Sequence, residues 1–120
     1  MKLFIAGGAG PIGIYLSAYS KQLGNECIVY DINPENAKHL IVRDVEFIQG
    51  DVANLKLKDV KGCDAIINMA SIYLGKCFAK PEEEVKAVML GNIKCINLAN
   101  KLHIPFIYIS TSEVYGNVKN

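Results

Sequence analysis

The stretch KLFIAGGAGPIG, from Lys2 to Gly13, decides the fold. It begins with the apolar run Leu3 to Ala6, which is typical of a buried strand. Three glycines follow at the spacing Gly7-x-x-Gly10-x-x-Gly13. The apolar residues then recur at helical spacing and share one face, at Ile12, Leu16, Tyr19 and Leu23. A buried strand, a glycine turn and a helix together predict a βα unit that binds a dinucleotide.

Each glycine of this turn has a predicted role. Gly7 permits the tight turn, Gly10 lets the backbone approach a pyrophosphate, and Gly13 allows close packing between helix and strand. Phosphate binds well at such a place because the N–H groups of a helix N-terminus point at it and the helix dipole favours negative charge. Glycines also simply make turns, so the motif needs support from the rest of the chain.

That support comes from an acidic residue at the end of the second apolar run. Asp31 follows Cys27 to Tyr30 and stands eighteen residues after Gly13. A carboxylate there is placed to accept hydrogen bonds from an adenosine ribose. No arginine directly follows it, so a 2′-phosphate would meet uncompensated negative charge, and this favours NAD over NADP. The alternative role for Asp31 is to cap the turn at Asn33-Pro34.

The remainder of the chain predicts three further strands, at Val45–Ile48, Ala65–Met69 and Phe106–Ile109, and one long helix from Pro81 to Leu102. The expected fold is α/β: a doubly wound, Rossmann-like parallel sheet of about five strands with helices on both faces, in a single domain spanning residues 1–120. In such a sheet the carboxyl ends of the strands line the ligand crevice. The positions at these ends are Gly7, Asp31, Asp51, Ala70 and Ser110. Taken by itself, Asp51 could equally be a turn-forming residue.

Composition narrows the choice of partners and compartment. The formal net charge of +1 gives no reason to expect nucleic acid or an anionic membrane surface as a partner. No apolar run approaches the roughly 18 residues of a membrane span. The four cysteines form no C-x-x-C pair, so we expect buried, reduced thiols in a cytoplasmic protein. His39 and His103 lack acidic or cysteine partners at ligand spacing, so no metal site is expected.

Nearly all of the chain resembles the N-terminal part of the extended short-chain dehydrogenase/reductases, the NAD-dependent epimerases, dehydratases and decarboxylases of nucleotide sugars. The glycine turn GGAGPIG, the segment Gly50-Asp51-Val52, the string DAIINMAS from Asp64 to Ser71 and the string STSEVYG from Ser110 to Gly116 are similar to the motifs of that family. The resemblance implies NAD as cofactor. It places the cofactor contacts at Gly7, Gly10, Pro11, Ile12, Gly13, Asp31, Ile32, Asp51, Val52, Met69, Ala70, Ser71 and Ser110.

The resemblance also implies a reaction in which a sugar carbon is oxidised transiently by hydride transfer. It places the catalytic hydroxyl on Thr111 and an acid/base group on Glu113. By themselves, the hydroxyls of Thr111 and Ser112 could equally cap a strand-end turn. The family's Tyr-x-x-x-Lys helix lies beyond this segment. Tyr115 and Lys119 share that spacing, but Gly116 argues against a helix there, so they are not expected to be the catalytic pair.

The chain is therefore expected to be truncated relative to the family, and to be inactive as 120 residues. It would bind a sugar nucleotide only together with the missing C-terminal part. The alternative is a stand-alone, non-catalytic module that binds or senses a dinucleotide. Val88 stands where the family has an asparagine near the active site, which weakens the enzyme hypothesis, and Asn92 is not expected to replace it. The helix 81–102 is a possible surface for a homodimer.

Pro11 is a further departure from the family, which usually has an aromatic residue there. Proline has no N–H, so one hydrogen bond to a pyrophosphate is expected to be lost at this position.

Overall fold

Five apolar runs of the sequence form the five parallel strands of one sheet. The computed structural model describes residues 1–41, 44–72 and 78–116, apart from the side chain of Glu113. The strands are β1 (Lys2–Ala6), β2 (Glu26–Asp31), β3 (Glu46–Gln49), β4 (Ala65–Asn68) and β5 (Phe106–Tyr108). Their order in the sheet is β3-β2-β1-β4-β5, and all four pairings are parallel. The chain thus winds from β1 outward in both directions, as predicted.

Helices and turns connect the strands. They are α1 (Pro11–Gln22), two 3₁₀ turns (Pro34–His39 and Val52–Asn54), α2 (Leu57–Val60), α3 (Pro81–Glu84), a π-helical segment (Val85–Leu90), α4 (Gly91–Leu102) and a last 3₁₀ turn (Ser112–Tyr115). The backbone stays right-handed helical across both junctions of the π-helical segment, so residues 81–102 form one continuous helix, here called the long helix. Its predicted extent is confirmed. Gly24 after α1 has a φ of 79°, the left-handed stop expected there.

The sheet carries helices on both faces. On one face, Phe4 and Ile66 are fully buried and belong to the main core, to which α4 contributes Cys95 and Ala99. Alternate residues such as Ile5 point to the opposite face, because side chains along a strand alternate. There α1 covers the sheet, and the Cys27 thiol reaches the carbonyl of Ser17 on that helix (3.9 Å). No helix in the described parts of the chain is long and apolar enough to span a membrane.

The apolar face of α1 faces solvent. Ile12, Tyr19 and Leu23 are all more than 60% exposed, and Tyr15 joins them on that side. The buried residues are small, at Gly13, Ser17, Ala18 and Ser20. Of the four residues that share the predicted face, only Leu16 is half-buried, so periodicity predicted the helix correctly while most of its apolar face lies towards solvent. Gly13 packs closely on the glycine turn, where a Cβ would lie 2.4 Å from the carbonyl oxygen of Gly8, and Ser17 contacts Cys27 of β2.

Three of the four cysteines are buried free thiols, as expected: Cys27, Cys63 and Cys95. Burial raises the pKa of all three thiols, and it raises that of Cys95 to about 12. These cysteines are therefore almost entirely protonated at neutral pH and act as small packing residues. Cys77 lies outside the described residues.

Candidate dinucleotide site

The glycine turn is held by backbone hydrogen bonds to itself and to β2. The N–H of Gly7 donates to the carbonyl of Tyr30 (2.8 Å), and the N–H of Gly10 donates back to Gly7 (3.1 Å). Gly7 has a φ of 70°, a left-handed conformation that glycine adopts without strain. The turn after β1 is thus fixed before any ligand arrives.

A Cβ added to each of the three motif glycines would meet very different surroundings. A Cβ on Gly7 would lie 2.7 Å from the backbone of Ala70, and one on Gly13 would lie 2.4 Å from the carbonyl oxygen of Gly8. Both glycines are required by the protein's own packing. A Cβ on Gly10 would meet only the carbonyl oxygen of Gly7, at 3.3 Å, and the φ of Gly10 is an ordinary −73°. The space beside Gly10 is open, which fits a pyrophosphate approaching the backbone there.

The helix that starts at this turn begins with Pro11 and has no acidic residue in its first turn. The first N–H groups of a helix have no carbonyl partner within it. Pro11 at the first position therefore removes only a donor that the helix itself does not use. Ile12 and Gly13 are the next two residues of this first turn. Ile12 is 64% exposed there.

Asp31 is buried at the end of β2, and both of its carboxylate oxygens accept backbone hydrogen bonds. Oδ2 accepts from the N–H of Ala9 in the glycine turn (3.1 Å), and Oδ1 accepts from the N–H of Asn33 (3.0 Å). The second bond is the cap that was the alternative role for this residue. The first was not expected from the sequence. Each oxygen has a further lone pair, so Asp31 can fix the turn and still accept from a ribose hydroxyl.

Asp51 lies two residues after β3, the strand next to β2, and caps the 3₁₀ turn that starts at Val52. Its carboxylate accepts from the N–H of Ala53 (2.9 Å), while its carbonyl accepts from the hydroxyl of Tyr30 (3.2 Å). Tyr30 lies directly beneath Gly50, where a Cβ would come within 2.1 Å of the hydroxyl oxygen. Burial, followed by the nearby Asp59 and Asp51, raises the pKa of Tyr30, which stays a neutral donor. Val52 is buried against Gly91 of the long helix.

The loop after β4 lies against the glycine turn. The N–H of Met69 donates to Ala6 (3.0 Å), and the N–H of Ala70 donates to the side chain of Asn68 (3.1 Å). Ser71 is exposed. Residues 69–71 therefore border the turn on the side away from Asp31.

The segment after β5 continues the same edge. The N–H of Ile109 donates to the carbonyl of Asn68 (2.9 Å), and Ser110 and Thr111 follow in exposed positions. Glu113 lies in the last 3₁₀ turn, and its side chain is outside what the structure describes. Tyr115 is 79% exposed in that turn, and Lys119 lies outside the described residues.

The strand order brings the predicted site residues to one edge of the sheet. Along it lie Asp51 with Val52, then Asp31 with Ile32, the glycine turn, Met69 to Ser71, and Ser110 with Thr111. The glycine turn stands between β2 and β4, where the winding reverses, and this is where ligands bind in open α/β sheets. A shallow cavity of about 280 Å³ beside Tyr30 and Lys56 shares only Asp51 with this row of residues. It is not the predicted crevice.

Comparison with known proteins identifies a matching family and individual relatives. Residues 3–120 match the NAD dependent epimerase/dehydratase family. The chain is 28% identical to UDP-glucose 4-epimerase of Klebsiella pneumoniae, over 98% of this chain and 94% of that sequence. It is 30% identical to UDP-glucuronic acid decarboxylase 1 of Arabidopsis thaliana, over 98% of this chain but 28% of that enzyme.

A solved structure gives the same architecture. UDP-glucose-4-epimerase from Stenotrophomonas maltophila, with bound NAD and formylated UDP-arabinopyranose, superposes with a TM-score of 0.86 at 19% identity. That match covers 100% of this chain and 40% of the epimerase chain. The chain thus spans less than half of the solved epimerase and of the decarboxylase.

Proposed function

The chain belongs to the NAD dependent epimerase/dehydratase family, and from that membership we propose that it is the NAD-binding portion of an enzyme that modifies sugar nucleotides. The enzyme would be an epimerase, dehydratase or decarboxylase, and residues 1–120 would form its dinucleotide-binding domain. The observation that carries the proposal is the arrangement at the carboxyl edge of the sheet. There a glycine turn with open space at Gly10 stands beside the buried carboxylate of Asp31.

Each half of the dinucleotide has its own residues in this proposal. The pyrophosphate lies at Gly10 and the start of α1, and Ile12 and Gly13 donate to it. The adenosine ribose donates to Asp31, and the adenine lies by Ile32, Asp51 and Val52. The second nucleoside continues over the loop 69–71 towards Ser110, because β4 and β5 lie on the other side of β1.

NAD is preferred over NADP because of the charge at the ribose position. A 2′-phosphate would approach the Asp31 carboxylate, and residues 32–37 include no lysine or arginine. Lys38 is already paired with Glu35. The phosphate would therefore add repulsion, and residues 32–37 supply no cation to compensate it.

Bound NAD supplies a hydride acceptor. The chain's own contribution to the chemistry is Thr111, which would orient a sugar hydroxyl, and Glu113, which would act as acid or base. The tyrosine that takes the hydroxyl proton in the family, and the lysine that assists it, would come from the C-terminal part. A sugar nucleotide is therefore bound and converted only when that part is present.

The test is calorimetric titration of the 120-residue chain with NAD⁺, together with an assay for conversion of UDP-glucose, UDP-glucuronic acid and dTDP-glucose. We expect saturable NAD⁺ binding and no conversion of the sugar nucleotides. Absence of NAD⁺ binding by folded protein would remove the cofactor assignment. Conversion by the chain alone would contradict the proposal that the C-terminal part is needed for catalysis.

Val88 favours a second candidate, a non-catalytic dinucleotide-binding module. This half-buried valine lies in the π-helical segment at the position of the family's active-site asparagine. A reading frame that continues past Asn120 to a Tyr-x-x-x-Lys helix would favour the enzyme. A stop codon directly after Asn120 would favour the module.

We also propose that the long helix forms a homodimer. Its apolar residues Val85, Met89, Ile93 and Ile96 share one side and are 42–60% exposed. The apolar sides of two such helices can pack against each other and be removed from solvent.

Ile93→Lys is therefore expected to shift the chain to monomer, measured by sedimentation velocity over a range of concentrations. Tyr19→Lys is the matched control, since Tyr19 is an apolar residue on α1 that is 61% exposed. The homodimer proposal fails if the parent chain is monomeric, or if Tyr19→Lys dissociates it and Ile93→Lys does not.

A further inference from the structure

A hydrogen-bonded pair of side-chain amides, one buried and one half-buried, joins three elements around the candidate site. Asn68, at the end of β4, is 0% exposed. Its Nδ2 donates to Oδ1 of Asn92 in the first turn of α4 (2.7 Å), and its Oδ1 accepts from the N–H of Ala70 (3.1 Å). We call this pair the amide bridge. The backbone carbonyl of Asn68 also accepts from Ile109, just before Ser110.

The amide bridge fixes the loop 69–71 from two directions. The N–H of Ala70 donates to the side chain of Asn68. The backbone of Ala70 also packs against Gly7, and a Cβ added to Gly7 would lie 2.7 Å from it. Asn92 in turn follows Gly91, which packs so closely on Val52 that a Cβ would lie 2.6 Å from Cγ1 of that valine. The loop 69–71 is therefore held against the glycine turn, and through Asn92 and Gly91 it is connected to the turn at Asp51.

The position of the amide bridge indicates which half of the ligand it would affect. The adenosine half is expected over β1, β2 and β3, where Asp31 and Asp51 lie. The loop 69–71 and Ser110 lie over β4 and β5, on the opposite side of the glycine turn. A group that positions only this loop affects the second nucleoside and leaves the adenosine largely untouched.

We propose that Asn68 and Asn92 are positioning residues that hold the loop 69–71 for the nicotinamide half of the dinucleotide. The inference rests on the proposed NAD binding. Asn92 acts through Asn68 and the N–H of Ala70, and it needs no contact with the ligand. An aspartate at position 92 would keep an oxygen that can accept the hydrogen bond from Asn68.

The experiment compares NAD⁺ with ADP, which lacks the second nucleoside, by calorimetry at a temperature where every variant is folded. Asn92→Ala leaves Nδ2 of Asn68 without its partner, and we expect the affinity for NAD⁺ to fall roughly tenfold. The affinity for ADP should stay within about twofold of the parent chain. Asn92→Asp should restore NAD⁺ binding. Asn100→Ala, an exposed site near the other end of α4, is the matched control and should bind like the parent.

The outcomes separate this inference from the proposed function. If the parent chain binds neither ligand, the cofactor assignment itself fails. If the parent binds ADP as tightly as NAD⁺, the cofactor site stands and the positioning role is wrong. The role is also wrong if Asn92→Ala weakens both ligands equally, if it weakens neither, or if Asn92→Asp fails to restore NAD⁺ binding.

Discussion

Replacing Gly10 by alanine is expected to lower the affinity for NAD⁺ about a hundredfold or more while the fold remains intact, because a methyl group would occupy the space through which the pyrophosphate reaches the backbone. The protein itself tolerates the methyl group. The φ of Gly10 is −73°, and the nearest atom, the carbonyl oxygen of Gly7, lies 3.3 Å from the added carbon. Gly10→Ala should therefore change the free energy of unfolding by less than about 1 kcal/mol.

Gly13→Ala is the comparison for stability, because the protein does not tolerate a methyl group at that position. The added carbon would lie 2.4 Å from the carbonyl oxygen of Gly8, a backbone atom that cannot rotate away. Moving α1 off the turn should lower the free energy of unfolding by about 3 kcal/mol. In a domain of this size, that loss lowers the Tm by about 10 °C.

Thermal unfolding followed by circular dichroism measures stability in both variants, and calorimetry measures NAD⁺ binding. A Gly10→Ala chain that binds NAD⁺ like the parent would contradict the placement of the pyrophosphate. A Gly13→Ala chain with unchanged Tm would contradict the packing of α1 on the turn.

The fold was predictable from the sequence because its signals are local and repeated. Each parallel strand contains a short apolar run, and each run ends at a glycine or a polar residue that starts the next connection. Pro81 and the three glutamates after it mark the start of the long helix. The inner face of α1 was not predictable from periodicity, because Gly13 and Ser17 are selected by the space available and not by hydrophobicity.

The candidate site was predictable only in its outline. Motif spacing located Gly7, Asp31 and Asp51 at strand ends and Gly10 at the start of α1. It gave no sign that Asp31 bonds to Ala9, that Tyr30 supports Asp51, or that Asn68 meets Asn92. Each of these contacts joins residues more than twenty positions apart. Such pairs depend on the register of neighbouring strands and on where the long helix crosses the sheet, and no local pattern encodes either.

The largest effect on cofactor choice is expected from Asp31. Asp31→Asn removes the negative charge and one accepting oxygen, so the bond to a ribose hydroxyl is weakened or lost. Hydrogen bonds to charged groups contribute about 1.5–3 kcal/mol, which corresponds to roughly a tenfold to hundredfold loss of NAD⁺ affinity. NADP⁺ should lose less or even gain, because its 2′-phosphate no longer faces a carboxylate. The ratio of the two dissociation constants, measured by calorimetry, is therefore the quantity to follow.

Asp31 also holds the glycine turn through Ala9, so a loss of affinity could come from the turn alone. A ligand lacking the adenosine 2′-hydroxyl separates the two causes. In the parent chain, 2′-deoxy-NAD⁺ should bind more weakly than NAD⁺, whereas in Asp31→Asn the two ligands should bind alike. Asp64→Asn is the matched control: Asp64 also accepts a backbone hydrogen bond, from Lys2 (2.7 Å), but at the opposite edge of the sheet. It should leave both affinities unchanged. If Asp31→Asn still distinguishes NAD⁺ from 2′-deoxy-NAD⁺ as the parent does, Asp31 does not bind the ribose and its role is to hold the turn.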